Sequence, residues 1–172
     1  GDGLADDTLP IQAAIDKAFV DGGGEVLLGV NHLLYASGVV SGIPYCLKIK
    51  DGVNLQGLGS SSSLLKMADN QDATVITSHR TSKLTGASIN GLSIDGNSPN
   101  QDGDAVGLFN LWMKDTESLV INDVVSLDSA AFGFRLELCN NMEVLNIRTD
   151  HAPETTADGV HLIDVTNAVI SN

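Results

Sequence analysis

Arg135, Glu137, Asp158 and His161 are the residues of this 172-residue chain whose types and spacing could carry chemistry. A guanidinium neutralises a carboxylate and an imidazole takes a proton near neutral pH; side by side they can hold an acid group and abstract the proton next to it. Arg135 and His161 occupy matching places in two similar stretches, Glu137 follows Arg135 by two, and Asp158 stands three before His161. The competing reading is a surface ladder, with Arg135 paired to Glu137 or another acid and His161 facing solvent. Asp158 is as readily a turn former ahead of Gly159 as a catalytic acid. Asp150 and His151, close to Pro153, are candidates for contacting a substrate, or else they mark the tip of a long loop. Trp112, the only tryptophan, would stack on a flat ring if it faced outward, and otherwise packs in the core. No metal ligands are assigned: Asp102-Gly103-Asp104 has the spacing of a calcium loop without its further acids. Cys46 and Cys139 lie far apart in the chain, in no CxxC or Cys/His cluster, and read as buried small hydrophobes.

What must position these groups is a repeat. Gly107, Gly133 and Gly159 recur at an interval of 26, and behind the last two Gly133-Phe134-Arg135-Leu136-Glu137-Leu138 lies over Gly159-Val160-His161-Leu162-Ile163-Asp164. Asn141 falls over Asn167 and Asn146 over Asn172 in the same register. Upstream, the run from Ile89 to Asp95 resembles that from Ile121 to Asp128, with a two-residue slip against the Gly107 series. A repeat of this length built of strands and turns fits one coil of a parallel β-helix. Coils then stack about 4.8 Å apart. Phe134, Leu136 and Leu138 should point inward beneath Val160 and Leu162, and Arg135 and Glu137 outward beside His161 and Ile163.

One helix is expected, over 8–19: Asp7 or Thr8 caps it, Pro10 sits in its first turn, Ile11, Ala14, Ile15, Ala18 and Phe19 recur at helical spacing, and Asp21 to Gly24 stops it. It should cap one open end of the stack. Thereafter short apolar runs, such as Cys46 to Ile49 and Val53 to Leu55, are cut by Gly, Asn, Asp and Ser. The expectation is a single domain over 1–172, with rungs from about residue 45 and a C-terminal end cut short inside a strand at Asn172.

Composition narrows the partners. Hydrophobic residues make up 42% and aromatic ones 4%, so the core must be thin aliphatic layers. Nine bases stand against 22 acids, a net charge of −13, which excludes a nucleic-acid backbone as partner and argues against an anionic membrane surface. Residues 1–94 hold nine acids and six bases, whereas 95–172 hold thirteen acids and three bases. The acidic half is either a solvated, mutually repelling exterior or a recruiter of Ca2+, the one cofactor that the composition proposes. No run of 18 apolar residues and no charged-then-apolar leader is present, so membrane insertion is not expected.

Four motifs carry a resemblance. They are the stretch from Gly1 to Thr8, Ile11-Gln12-Ala13-Ala14-Ile15-Asp16, Gly22-Gly23-Gly24-Glu25-Val26, and the stretch from Gly52 to Gly59. Together they resemble the N-terminal signature of the pectate-lyase-like superfamily, which includes phage tailspike depolymerases, polygalacturonase-type hydrolases and mannuronan C5-epimerases. The resemblance implies an all-β fold, a right-handed parallel β-helix with an N-terminal capping α-helix. It also implies a polysaccharide-binding or polysaccharide-degrading module, extracellular or virion-associated, acting on an acidic or complex polysaccharide. The tailspike branch further implies a homotrimer.

The run from Cys46 to Val53 and Ile94-Asp95-Gly96-Asn97 are similar to the epimerase catalytic module, across most of residues 1–150. Where that module carries a Tyr, an Asp and a His for proton transfer, this chain has Phe132, Arg135 and Glu137, and a Phe cannot exchange a proton. Asp158 with Gly159-Val160-His161-Leu162 is similar to the first acidic motif of the hydrolases. Three outcomes stay open at this level: a hydrolase or binding module, an epimerase or uronate lyase acting on alginate or pectate, and a non-catalytic receptor-binding β-helix of a virion. Whether the chain is an enzyme is likewise open.

Overall fold

A computed structural model describes residues 1–78, 82–102, 108–150 and 158–172, with Asp158 described by its backbone alone. Strand β1 (Asp2–Asp6) leads into helix α1 (Thr8–Val20). Then follow β2 (Gly24–Leu27), β3 (Asn31–Leu34), β4 (Gly38–Val40), β5 (Ile43–Ile49), β6 (Val53–Gln56), β7 (Leu64–Met67) and β8 (Thr74–Ser78). The remainder are β9 (Leu84–Thr85), β10 (Ser88–Asp95), β11 (Leu111–Glu117), β12 (Val120–Leu127), β13 (Phe132–Asp150), β14 (Asp158–Ile163) and β15 (Thr166–Ser171). Among the described residues these strands join one curled sheet, and its pairings are parallel except for β4 with β5. No helix among them is long and apolar enough to cross a membrane.

The stacking begins with β1 to β3, well before residue 45: Gly24 pairs with Val53 and Asn31 with Leu64. Strands β2 and β3 bury only one or two side chains each, too few for alternation to announce them. The sheet forms three strips. The first holds β5, β8, β11, the start of β13, and β14. The second holds β2, β6, β15 and parts of β10, β12 and β13; the third holds β1, β3, β7 and the ends of β10, β12 and β13.

Aliphatic side chains run up the inside of each strip. In the second strip Val26, Leu55, Ile89, Ile121, Val144 and Ile170 stand one above the next. The first five are buried, each screened from water by its neighbours. In the first strip Phe134 pairs with Val160 and Leu136 with Leu162, as alternation requires. Leu138 departs from it. Its φ is +55°, it stands 44% exposed, and Cys139 takes the inward place. The register puts it level with Asp115 and Asp164, whose φ values are +54° and +51°. A left-handed residue costs an L side chain about 1–2 kcal/mol, which the stack imposes because these three coils turn there.

A second corner shows the same demand met by apt residues. Gly86, Ser118, Asn141 and Asn167 lie level with one another at φ +65°, +58°, +51° and +49°. Asn167 and Thr166 both donate to Asn140 Oδ1 across the coil, at 3.0 and 2.7 Å.

The even interval of the glycines holds only between the last two coils. Phe132 pairs with Asp158, a step of 26, but Leu111 pairs with Phe134, a step of 23, so Asn110 rather than Gly107 falls at the level of Gly133. Gly107 itself lies outside the described residues. Earlier steps are longer still, 32 from Ser88 to Val120 and 34 from Asn54 to Ser88. Loop length absorbs the difference at little entropic cost.

Helix α1 buries Ile11 and Ile15 against the sheet, with Ala18 packed beside them, while Ala14 and Phe19 are exposed. The apolar stripe is narrower than expected because the helix packs chiefly against β2, β5 and β6. Asp7 occupies the N-cap position without a side-chain cap; its carboxylate meets His32 Nδ1 at 2.8 Å, and Asp6 instead accepts from the Thr8 N–H. Gln12 accepts from the Lys48 N–H at 2.8 Å and donates to the Lys48 carbonyl at 3.1 Å, pairing backbone groups of β5 with a side-chain amide. Gly23, at φ +111°, stops the helix where any Cβ would stand 2.8 Å from the Gly52 carbonyl oxygen.

Both cysteines are buried and free. Burial pushes the Cys46 thiol up to about 12.

Candidate functional site

The outer side of the first strip carries the cluster. Parallel pairing aligns Lys48, Thr77, Trp112, Arg135 and His161 in one column, and Lys114, Glu137 and Ile163 in the next. Arg135 and His161 are therefore neighbours, as the repeat required.

Around Arg135 the packing is aromatic. Its guanidinium carbon lies 5.2 Å from the Phe109 ring centre, 5.5 Å from Trp112 and 5.9 Å from Phe132. Phe109 stacks on Phe132 at 5.5 Å and meets Trp112 edge-on at 5.3 Å; Phe132 in turn lies 4.4 Å from the His161 ring. Each ring presents electron-rich density to the cation, an attraction that strengthens as water is excluded. Trp112 is only 4% exposed, yet it belongs to this outer cluster with Phe109 and Ala131, apart from the main core. Neither expectation for it holds unmodified: it faces outward but is covered by Arg135.

Glu137 anchors the arrangement. Arg135 Nη2 donates to Glu137 Oε2 at 3.3 Å, and Lys114 Nζ donates to Glu137 Oε1. Burial alone would push this carboxyl up, but the hydrogen bond from Lys114, the charges of Lys114 and Arg135 and a hydrogen bond from Trp112 outweigh it. The net result holds Glu137 below the usual carboxylate range. It is thus an ionised brace and no store of protons at neutral pH. Arg135 Nε is buried without a hydrogen-bond partner among the described residues, while the side chain as a whole stays about a quarter exposed.

A depressed folded-state value means that folding favours ionised Glu137. That stability is present above the unfolded value of about 4.3 and is lost as pH falls through the lower folded one. Between about pH 6 and pH 3 the wild type should therefore lose more stability than Glu137→Gln, as urea titrations at the two pH values would measure. Equal losses would mean that Glu137 is not stabilised as an anion by folding.

The other candidates do not all converge here. The backbone of Asp158 pairs with Phe132 at the edge of the cluster. Asp150 lies on the third strip, exposed and paired with Leu127, because β13 turns at Leu138, Asn141 and Asn146 before reaching it. His151 lies outside the described residues, as do Gly103 and Asp104 of the calcium-like motif. Among the described residues no three His, Cys, Asp or Glu side chains come together as a metal site. Sequence reasoning missed Phe109 and Lys114. The shorter step that sets Lys114 beside Glu137 would have revealed the second, but no repeat of that length stands out in the residues themselves.

No protein-family model matches the chain. Among curated proteins, mannuronan C5-epimerase AlgE4 of Azotobacter vinelandii is 35% identical over 113 residues, 64% of this chain and 20% of the relative. The chain is a homologue of the mannuronan C5-epimerases. It spans a fifth or less of the length of mannuronan C5-epimerases AlgE4, AlgE2 and AlgE5. Alginate lyase 7 of the same organism is 36% identical over 112 residues, 63% of this chain and 13% of that protein. The solved AlgE4 A-module superposes with a TM-score of 0.70 at 22% identity, over 98% of this chain and 56% of the module. The tailspike protein of Escherichia coli bacteriophage HK620, solved in complex with a pentasaccharide, superposes with a TM-score of 0.69 at 14% identity, over 96% of this chain and 31% of the tailspike. Against the epimerase pattern, Phe132 is locked into a ring stack and Glu137 into an ion-pair network, so neither stands ready to shuttle protons.

Proposed function

We propose that residues 1–172 are one right-handed parallel β-helix unit, closed at one end by α1, that binds an extended acidic polysaccharide along the outer side of its first strip. The observation that carries this reading is Arg135. In a chain of net charge −13, a partly exposed guanidinium seated on three aromatic rings and braced by Glu137 is equipped to take a carboxylate. The names of the relatives support the ligand class: mannuronan and alginate are acidic polymers, and the tailspike was solved with an oligosaccharide. Columns parallel to the stack suit a linear chain that offers one acid group after another. Extracellular or virion association goes with such a ligand, and the homotrimer with the tailspike likeness.

A second reading rests on the pairing of Arg135 with His161. With Arg135 neutralising a uronate carboxylate, His161 would take the proton on the adjacent carbon, the first step of elimination or inversion.

The test is to titrate the chain with polymannuronate, pectate and neutral dextran while following ultraviolet absorbance and reducing ends. Salt-sensitive binding to the acidic polymers alone is expected. Equal affinity for dextran, or no binding, would overturn the proposal. Unsaturated product that disappears with His161→Gln would establish the second reading.

A further inference from the structure

A separate groove runs along the outside of the third strip. Two adjoining depressions of about 410 and 280 Å³ share Ser60, Ser61 and Ser93 in their walls, the larger within the size range of small-molecule clefts. Its floor is an aligned column of Asn31, Leu64, Ser93, Val125 and Arg148, four steps of roughly 4.8 Å. Its flank is built to stay put. Ser60 gives both its N–H and its hydroxyl to Asp123, at 3.1 and 2.5 Å, and Ser93 Oγ donates to the Ser60 carbonyl at 2.6 Å.

Among the described residues, the charge in this groove is unlike that elsewhere. Lys17, Lys50, Lys66, Lys83, Lys114 and Arg135 each meet a carboxylate, and Lys48 lies over the Tyr45 ring. Arg148 is exposed and forms no ion pair with any described residue. No acidic side chain among the described residues lines either depression. Asp123 behind the wall is bound to Ser60, Asp95 in the neighbouring column is taken by Lys66, and Asp150, two residues beyond Arg148, makes no ion pair with it. Hydroxyls, amides and a guanidinium that no described carboxylate meets, set along a straight floor, match an acidic saccharide lying parallel to the stack.

We infer that this groove is a second binding site for an acidic glycan, with Arg148 holding a carboxylate and the Ser61 and Ser62 hydroxyls meeting the sugar. The ligand class rests on the reading under "Proposed function", but the site and its residues do not overlap the first strip.

The two sites can be told apart because Trp112, the only tryptophan, lies at the first. A short mannuronate oligosaccharide is titrated into the intact chain, with calorimetry reporting all binding and tryptophan fluorescence reporting the first strip. Arg135→Ala should lose the fluorescence response yet retain binding. That remaining binding should weaken roughly tenfold on adding Arg148→Glu, or on filling the groove with Ser61→Trp read by calorimetry alone. Circular dichroism confirms that each variant is folded. If Arg148→Glu and Ser61→Trp both leave the residual isotherm unchanged, the groove is not a site. If the wild type binds with no fluorescence response while Arg148→Glu abolishes binding, the first-strip reading fails and this one stands. If the wild type binds nothing, both fail.

Discussion

Arg135→Ala is expected to weaken binding of polymannuronate to the first strip by roughly 30-fold or more, as for a central anchor worth about 2 kcal/mol. The residue combines what makes such anchors effective: a planar cation, contact with three rings and a partner that fixes its orientation. Arg135→Lys should recover only part of the loss, because an ammonium keeps the charge but neither stacks on the rings nor presents a fork of donors to a carboxylate. Glu137 retains Lys114 in either variant, so the fold should survive, and a thermal melt alongside the titration would establish that. Unchanged affinity in Arg135→Ala would move the glycan away from this strip.

Phe134→Ala is expected to cost about 3–5 kcal/mol, the usual range for emptying a buried aromatic position. Phe134 is fully buried and sits between Leu111 on one coil and Val160 on the next, so its loss leaves a cavity that touches three rungs. For a chain of this size the melting point should fall by roughly 10 °C. Leu162→Ala, at a position 44% exposed, should cost less than half as much. Equal penalties at the two sites would show that the stack does not hold its stability where its columns are closed.

Some of this architecture was legible in the residues. The overlay of Gly133 to Glu137 on Gly159 to Ile163 predicted the pairing of Arg135 with His161, and that of Ile89 on Ile121 predicted the register between β10 and β12. The helix was visible from Ile11 and Ile15, and the Asn141 corner from the Asn167 that repeats it. Leu138 was misread because alternation assumes a strand that keeps going, whereas the coil turns there and forces a left-handed residue. A leucine gives no sign of such a turn. Asp115 and Asp164, level with it, do, but they are aligned only once the coils are stacked.

Within an uninterrupted strand, residue type and alternation by themselves determined which side chains point into the stack and which out, since side-chain direction reverses at each step whatever lies beside it. Which coil lies over which was decided only by the tertiary structure. The loops between strands vary freely in length, at little cost in closure entropy, so short and long steps alike, from Leu111 to Phe134 or from Asn54 to Ser88, bring strands into the same lateral spacing. For that reason Arg135 and Trp112 could be named from the chain alone, while Phe109 and Lys114 around them, and the place of Arg148 on another strip, could not.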